Sequence, residues 1–163
     1  RQERSCVMEF RFAQRKDTGI ILDFINRLAE YEHMSDDVVA TEALLEEWIF
    51  DRKKAQVLFA LQEGKEVGIA LYFYNFSTFL GRAGIYLEDL FVLPEYRGKG
   101  YGKGLLKKLA AIAVEEGCGR LEWSCLNWNR PSIDFYLAMG AVPMKEWTVY
   151  RLTGETLRRA AEE

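Results

Sequence analysis

The stretch Arg97-Gly98-Lys99-Gly100-Tyr101-Gly102 decides how this chain is read. Before it lies the apolar run Ile85–Leu93, stopped by Pro94; after it, Leu105, Leu106, Leu109, Ile112 and Ala113 recur at helical spacing. A glycine-rich turn between a strand and a helix lets several backbone N–H groups converge on one anion at the helix N-terminus. The glycines permit close approach and positive φ, while Arg97, Lys99 and Lys103 add positive charge. A pyrophosphate is the natural ligand of such a turn, and the alternative is an ordinary strand–helix turn rich in glycine. Two other phosphate motifs are excluded. A Walker loop needs Gly-Lys-Ser/Thr, but Gly104 follows Gly102-Lys103. The dinucleotide fingerprint has another glycine spacing and belongs at the first strand–helix junction, where this chain has no such cluster.

With 163 residues and 49% hydrophobic content, the chain has mass for one well-packed core and reads as a single domain over residues 8–163. Residues 1–7 precede Met8, which reads as a natural start, and are set aside as an extra segment. A net charge of −3 argues against general nucleic-acid or membrane-surface binding and is compatible with a small cationic substrate. Cys6, Cys118 and Cys125 are odd in number and widely spaced, as free thiols of a reducing cytosol are. His33 is the single histidine and there is no Cys-x-x-Cys, so no metal is expected. A histidine-activated nucleophile would have to recruit that one residue at a helix end, and a solvated loop histidine is the better reading. No signal peptide or membrane span is evident, which places the expected location in the cytoplasm.

Outward from the glycine turn, the pattern predicts β-α-α-β-β-β-α-β-α-β. Glu9–Ala13 alternates as a short strand, and Asp17 is positioned to cap a helix carrying Ile21, Phe24, Ile25 and Leu28. Thr41 caps a second helix with Leu44, Leu45, Trp48 and Ile49. Gln56–Gln62 and Val67–Phe76 are strands joined by the hairpin signal Glu63-Gly64-Lys65. Arg120–Leu126 is a further strand, Asn129 and Pro131 open a fourth helix, and Trp147–Leu152 alternates as a last strand before a charged C-terminal helix. Such an order folds as a mixed sheet flanked by helices, an α/β (α+β) class.

These residues resemble the GNAT superfamily of acetyl-CoA-dependent N-acetyltransferases. Its pyrophosphate pattern Arg/Gln-x-x-Gly-x-Gly/Ala is met by Arg97, Gly100 and Gly102, and its later motif by Asn129, Phe135-Tyr136 and Gly140-Ala141. A closer resemblance, to the spermidine/spermine (diamine) and thialysine branch, is carried by Leu28–Glu32, Tyr86–Val92 and Trp128–Tyr136. The resemblance implies a mostly antiparallel central sheet with two splayed parallel strands, Ile85–Leu93 and Arg120–Leu126. In their gap the pantetheine arm of acetyl-CoA would lie, pairing as an added strand does. It also implies a homodimer with late strands shared between subunits.

An amine must be neutral to attack a thioester, yet at pH 7 only about one primary alkylamine in two thousand is, so the site needs a proton route. Glu88 is the candidate, working through an ordered water; alternation puts Glu88 and Asp89 on opposite faces unless a bulge intervenes. Tyr136 is the candidate acid for the leaving thiolate, a position that the resemblance places beside the CoA sulfur. A phenol near pKa 10 delivering to a thiol near 8.5 is uphill by roughly 2 kcal/mol, tolerable within the acyl transfer. Backbone N–H groups around Phe91 and Val92 would serve the oxyanion, and Leu90, Phe91 and Val92 would contact the coenzyme. The turn Arg97–Lys103, with Asn129, Ser132 and Tyr136, would complete the coenzyme site. Tyr31, Glu32, Glu88, Asp89, Glu122, Trp123 and, more weakly, Glu146 are candidates to hold a second cation of a diamine, polyamine or lysine analogue. Acetylation of a protein or peptide amine, or a non-catalytic acyl-CoA-binding regulatory module, remains as an alternative.

Overall fold

The computed structural model describes residues 8–162; the N-terminal segment 1–7, with Cys6, lies outside the described residues. The chain divides into two compact units, one ending at Ser124 and one beginning at Cys125.

The first unit is a five-stranded sheet in the order β1-β2-β3-β4-β5. Its strands are β1 (Glu9–Phe12), β2 (Gln56–Gln62), β3 (Lys65–Ser77), β4 (Arg82–Val92) and β5 (Leu121–Trp123). The first four pair antiparallel, and β5 joins β4 in parallel. This is the mixed sheet that the pattern predicts, with the mostly antiparallel pairing that the resemblance implies. The β2–β3 hairpin turns on Glu63 (φ 50°) and Gly64 (φ 79°), two left-handed residues whose twist matches that of the flanking strands.

Alternation along the strands sends side chains to two faces. One face packs Phe59, Ile69, Phe91 and Leu93 against Ile21 and Phe24 of helix α1 (Thr18–Tyr31). The other, carrying Gly68 and Val92, receives α3 (Tyr101–Glu115), whose Leu105, Leu106 and Leu109 are buried. Gly68 lets the helix approach, since a Cβ there would stand 3.2 Å from Leu105 Cδ1. A short helix, α2 (Glu42–Leu45), begins as expected at Thr41, whose hydroxyl accepts from Leu44 N at 3.2 Å. It continues as a wider π-type coil over Glu46–Asp51 that buries Ile49.

Asp17 does precede α1, but its carboxylate is not a helix cap. It accepts from both Arg11 Nη atoms, at 2.7 and 3.1 Å, and from Gln14 N at 2.7 Å. The arginine, also paired with Glu66, outcompetes the helix amides because a bidentate charged contact is the stronger one.

The second unit holds α4 (Arg130–Ala138) and α5 (Gly154–Glu162). Asn129 caps α4 as predicted, accepting from Ser132 N at 3.4 Å, with Pro131 in the first turn. Two expectations are corrected. Trp147–Leu152 is not a strand, and the predicted strand Arg120–Leu126 is reduced to Leu121–Trp123. Alternation becomes a strand only where a neighbouring edge supplies hydrogen-bond partners. Among the described residues none pairs with Trp147–Leu152, and Trp147, Val149, Tyr150 and Leu152 are exposed.

Candidate active site

At the end of β4 a single 3-10 turn at Pro94–Tyr96 leads into the glycine-rich segment. Gly98 (φ 77°) and Gly100 (φ 88°) adopt left-handed backbone, which any side chain would strain. The first bond of the α3 ladder is Gly104 N to Gly100 O at 2.8 Å. Among the described residues, the backbone N–H groups of Gly98, Lys99, Gly100, Gly102 and Lys103 donate to no backbone acceptor, as the N-terminus of a helix leaves them for an anion. Tyr101 is buried, and its hydroxyl donates to Gln62 at 3.0 Å, pinning the helix start to β2.

The charged side chains of this turn divide their work. Arg97 donates from Nε to Val92 O at 3.0 Å and lies against two rings, 5.0 Å from that of Tyr31 and 5.1 Å from that of Phe91. It therefore ties the turn to the end of α1, a use of both Arg97 and Tyr31 that spacing could not show. Lys99 Nζ stands 5.3 Å over the Tyr96 ring, and Lys103 is exposed on α3.

Midway along β4 the register slips. Leu71 of β3 pairs with Asp89 and Tyr72 with Leu87, so Glu88 has no partner across the ladder. The extra residue is the bulge on which the pairing of Glu88 with Asp89 depended. Asp89 lines a shallow cleft with Phe24, Ile25, Leu28, Ile69 and Leu71 on the α1 face. Among the described residues, nothing donates a hydrogen bond or offers a cation to its carboxylate. Burial, then Glu88, then Glu32 push the Asp89 pKa up to about 6. Burial alone raises that of Glu32, which follows α1. Asp89 thus lines the cleft, with Glu88 and Glu32 near enough for their charges to act on it.

Parallel pairing of β4 with β5 covers only Ile85–Leu87 against Leu121–Trp123, while β4 runs on to Val92. Leu90, Phe91 and Val92 are held on one side by Ala70, Ile69 and Gly68 of β3, and among the described residues no strand pairs with their other side. Alternate backbone groups there face an open edge.

Nearer the start of β4 the same face is polar and aromatic. The Tyr86 ring packs 5.2 Å from that of Phe73, and its hydroxyl is 2.7 Å from Ser124 Oγ. Glu122, opposite Tyr86, accepts from Asn75 Nδ2 at 3.2 Å and stands 2.9 Å from Arg120 Nε. Trp123 pairs with Leu87, so alternation turns it to the α3 face, away from Glu122. The structure sets Glu88 and Glu32 within electrostatic reach of Asp89, places Glu122 farther along the Asp89 face, and turns Trp123 to the opposite one. Sequence reasoning missed Asn75, Gly84, Arg120 and Tyr86; only the strand register assembles them.

In the second unit, Asn129 is buried at the start of α4, and Tyr136 sits on that helix with its ring 5.5 Å from that of Phe135. Glu146 is exposed in the irregular segment after α4, and His33 is exposed just beyond α1. Neither Cys118 nor Cys125 is in a disulfide. Among the described residues no helix is long and apolar enough to cross a membrane, and no cluster of three metal-ligating side chains occurs.

A glycine turn at a helix start, an open strand edge and a bulge bearing acids define an acyl-transfer scaffold. The comparisons agree: residues 21–141 match the acetyltransferase (GNAT) family, and the chain belongs to it. It is 40% identical over 163 aligned residues to the thialysine N-epsilon-acetyltransferase of Bos taurus, covering 93% of this chain and 95% of that one. It is 47% identical over 91 residues to an L-ornithine N5-acetyltransferase of Arabidopsis thaliana, covering 56% of this chain and 40% of that protein. Among solved structures, an integron cassette protein from the mobile metagenome of V. cholerae superposes with a TM-score of 0.80 at 30% identity, covering 96% of this chain and 98% of the other.

Proposed function

We propose that this acyltransferase moves the acetyl group of acetyl-CoA to a primary amine of a small cationic substrate, by direct attack in a ternary complex. Diamines, polyamines and lysine or ornithine analogues form the substrate class, in keeping with the relatives named above. The observation that carries the reading is β4 itself. Its bulge sets Glu88 next to Asp89, which also feels the charge of Glu32, and its far end leads into a turn whose glycine N–H groups donate to no backbone acceptor among the described residues. That turn fits a pyrophosphate, since the left-handed Gly98 has nothing within 4 Å of where a Cβ would stand.

Bound acetyl-CoA supplies the activated acyl group. Gly98–Lys103 hold its phosphates through backbone N–H groups, with Asn129 and Ser132 completing the coenzyme site. Leu90, Phe91 and Val92 offer the oxyanion donors. Glu32 and Asp89 attract the ammonium, and Glu88, through a water, accepts the proton that leaves it before attack. The N–C bond then forms, the C–S bond breaks, and Tyr136 protonates the departing thiolate. The second proton shed by the nitrogen restores the phenol, so one proton is released per turnover. The enzyme works as a homodimer, a reading supported by the exposed apolar side chains of the 147–152 segment.

Thiol release from acetyl-CoA across an amine panel tests the activity. Tyr136→Phe is expected to lower kcat about 10²-fold or more with little change in coenzyme affinity, and Glu88→Gln to impair turnover, amine binding or both. Full rate in Tyr136→Phe at every pH would remove the acid from the scheme.

A further inference from the structure

Arg97 opens the glycine-rich turn, yet the contacts of its side chain lie behind the turn and not in it. Nε donates to Val92 O at 3.0 Å, and the guanidinium carbon stands 5.1 Å from the centre of the Phe91 ring and 5.0 Å from that of Tyr31. Both distances are within the range at which a ring attracts a cation. The two rings belong to the other half of the site. Phe91 lies two residues beyond Asp89 and, by alternation, on the same face of β4. Tyr31 is the last residue of α1, packs against the core that Phe24 and Phe91 share, and is followed by Glu32, whose charge acts on Asp89. One planar cation thus bridges the strand that carries Asp89 and the helix end that leads to Glu32. The turn can form without it. Arg97 is exposed and has extended backbone (φ −71°, ψ 155°) open to any residue, while the left-handed angles fall on Gly98 and Gly100. What an arginine adds at this position is its contacts.

A phosphate held by the glycine N–H groups fixes the backbone at Gly98, the next residue in the chain. Arg97, fixed in turn, holds Tyr31, and so Glu32, where they act with Asp89 on an ammonium. Resting on the amine-acetyltransferase reading, we propose that Arg97 is a positioning residue for the amine and not a phosphate ligand: through Phe91 and Tyr31 it makes the amine bind more tightly once the coenzyme occupies the turn. The coupling is a binding free energy that the two sites share, so the amine tightens the coenzyme by the same factor. The other use of this arginine, as a charge on the pyrophosphate, makes different demands. Any cation at position 97 would then serve, and the coenzyme would feel the loss of that cation with no amine present.

Arg97→Lys keeps the charge but loses the planar fork and the Nε bond, and Arg97→Gln loses the charge as well. Tyr31→Leu removes the ring and leaves the arginine. Calorimetry of cadaverine, alone and in saturating CoA, is expected to show CoA tightening amine binding about fivefold to twentyfold in wild type, and less than about twofold in all three variants. CoA titrated without amine should bind Arg97→Gln within about threefold of its affinity for wild type. In turnover at saturating acetyl-CoA, the KM for cadaverine should rise in Arg97→Lys by the factor that the coupling loses. Equal or undetectable binding of cadaverine with and without CoA in wild type would overturn the assignment. So would a coupling retained in any of the three variants, or a larger loss of affinity for CoA alone in Arg97→Gln. If wild type transfers no acetyl group to any amine, the broader acetyltransferase reading is the one that fails. The calorimetry needs no turnover and decides the role of Arg97 by the same outcomes.

Discussion

Asp17 and Asp89 are both removed from water, with opposite consequences. Asp17, 3% exposed, receives a bidentate arginine and a backbone amide, and Arg11 first of all holds its pKa below the usual carboxylate range. Asp89 receives no partner and two like charges, and its pKa rises to about 6. A carboxylate buried with its cation joins a strand to a helix. One buried without a cation leaves a demand that a ligand can meet. The difference separates structural acids from site acids in this fold better than their positions in the sequence do.

The largest effect should come from breaking the satisfied acid. Asp17→Ala strands Arg11 beside Glu66 and the Phe59 ring, which it overlies at 4.9 Å, and is expected to cost about 2–4 kcal/mol in urea unfolding at pH 7. Because the folded pKa of Asp17 is lowered, its contribution is present above the ordinary carboxylate range and disappears as the solution is acidified through the folded value. The wild-type and variant unfolding curves should therefore converge at low pH.

Asp89→Asn should move stability the other way. The folded pKa of Asp89 lies above 3.8, so stability is lost as pH rises through about 6, where the native acid is finally forced to ionise. Replacing it should raise stability by about 1–3 kcal/mol at pH 8, with the gain vanishing near pH 4. The same variant should weaken amine binding about tenfold or more, since the cation loses its most buried anion. A variant both more stable and less able to bind is what an unsatisfied site acid predicts. Equal stability at pH 8 would place Asp89 among the satisfied carboxylates.

Glu32 should show the smallest change. It is partly exposed and burial alone raises its pKa, so Glu32→Gln is expected to alter stability by less than about 0.5 kcal/mol. Its measurable consequence is a downward shift of the Asp89 titration, read by carboxyl chemical shifts, because one of the two neighbouring charges is gone.

Much of this was legible in the sequence because it is local. The turn 97–102 announced its left-handed glycines, Thr41 and Asn129 announced their caps, and Leu87, Leu90 and Phe91 around Glu88-Asp89 announced acids in an apolar strand. What was not legible depends on residues meeting across the sheet. Asp17 looks like a helix cap until Arg11 is folded back onto it. Gly84, Asn75 and Arg120 mean little apart, and only the β3–β4–β5 register stacks them. Trp147–Leu152 has the alternation of a strand, but alternation records two unlike faces and not the presence of an edge to pair with.

The central claim, that the bulge holds an acid awaiting a cation, is tested most directly by counting protons when an amine binds. Calorimetry of cadaverine or L-lysine binding near pH 6, in two buffers of different ionisation enthalpy, should show protons released by wild type as the ligand's charge drives Asp89 to ionise. Asp89→Asn should release fewer. Binding with the same proton count in both proteins would contradict the account.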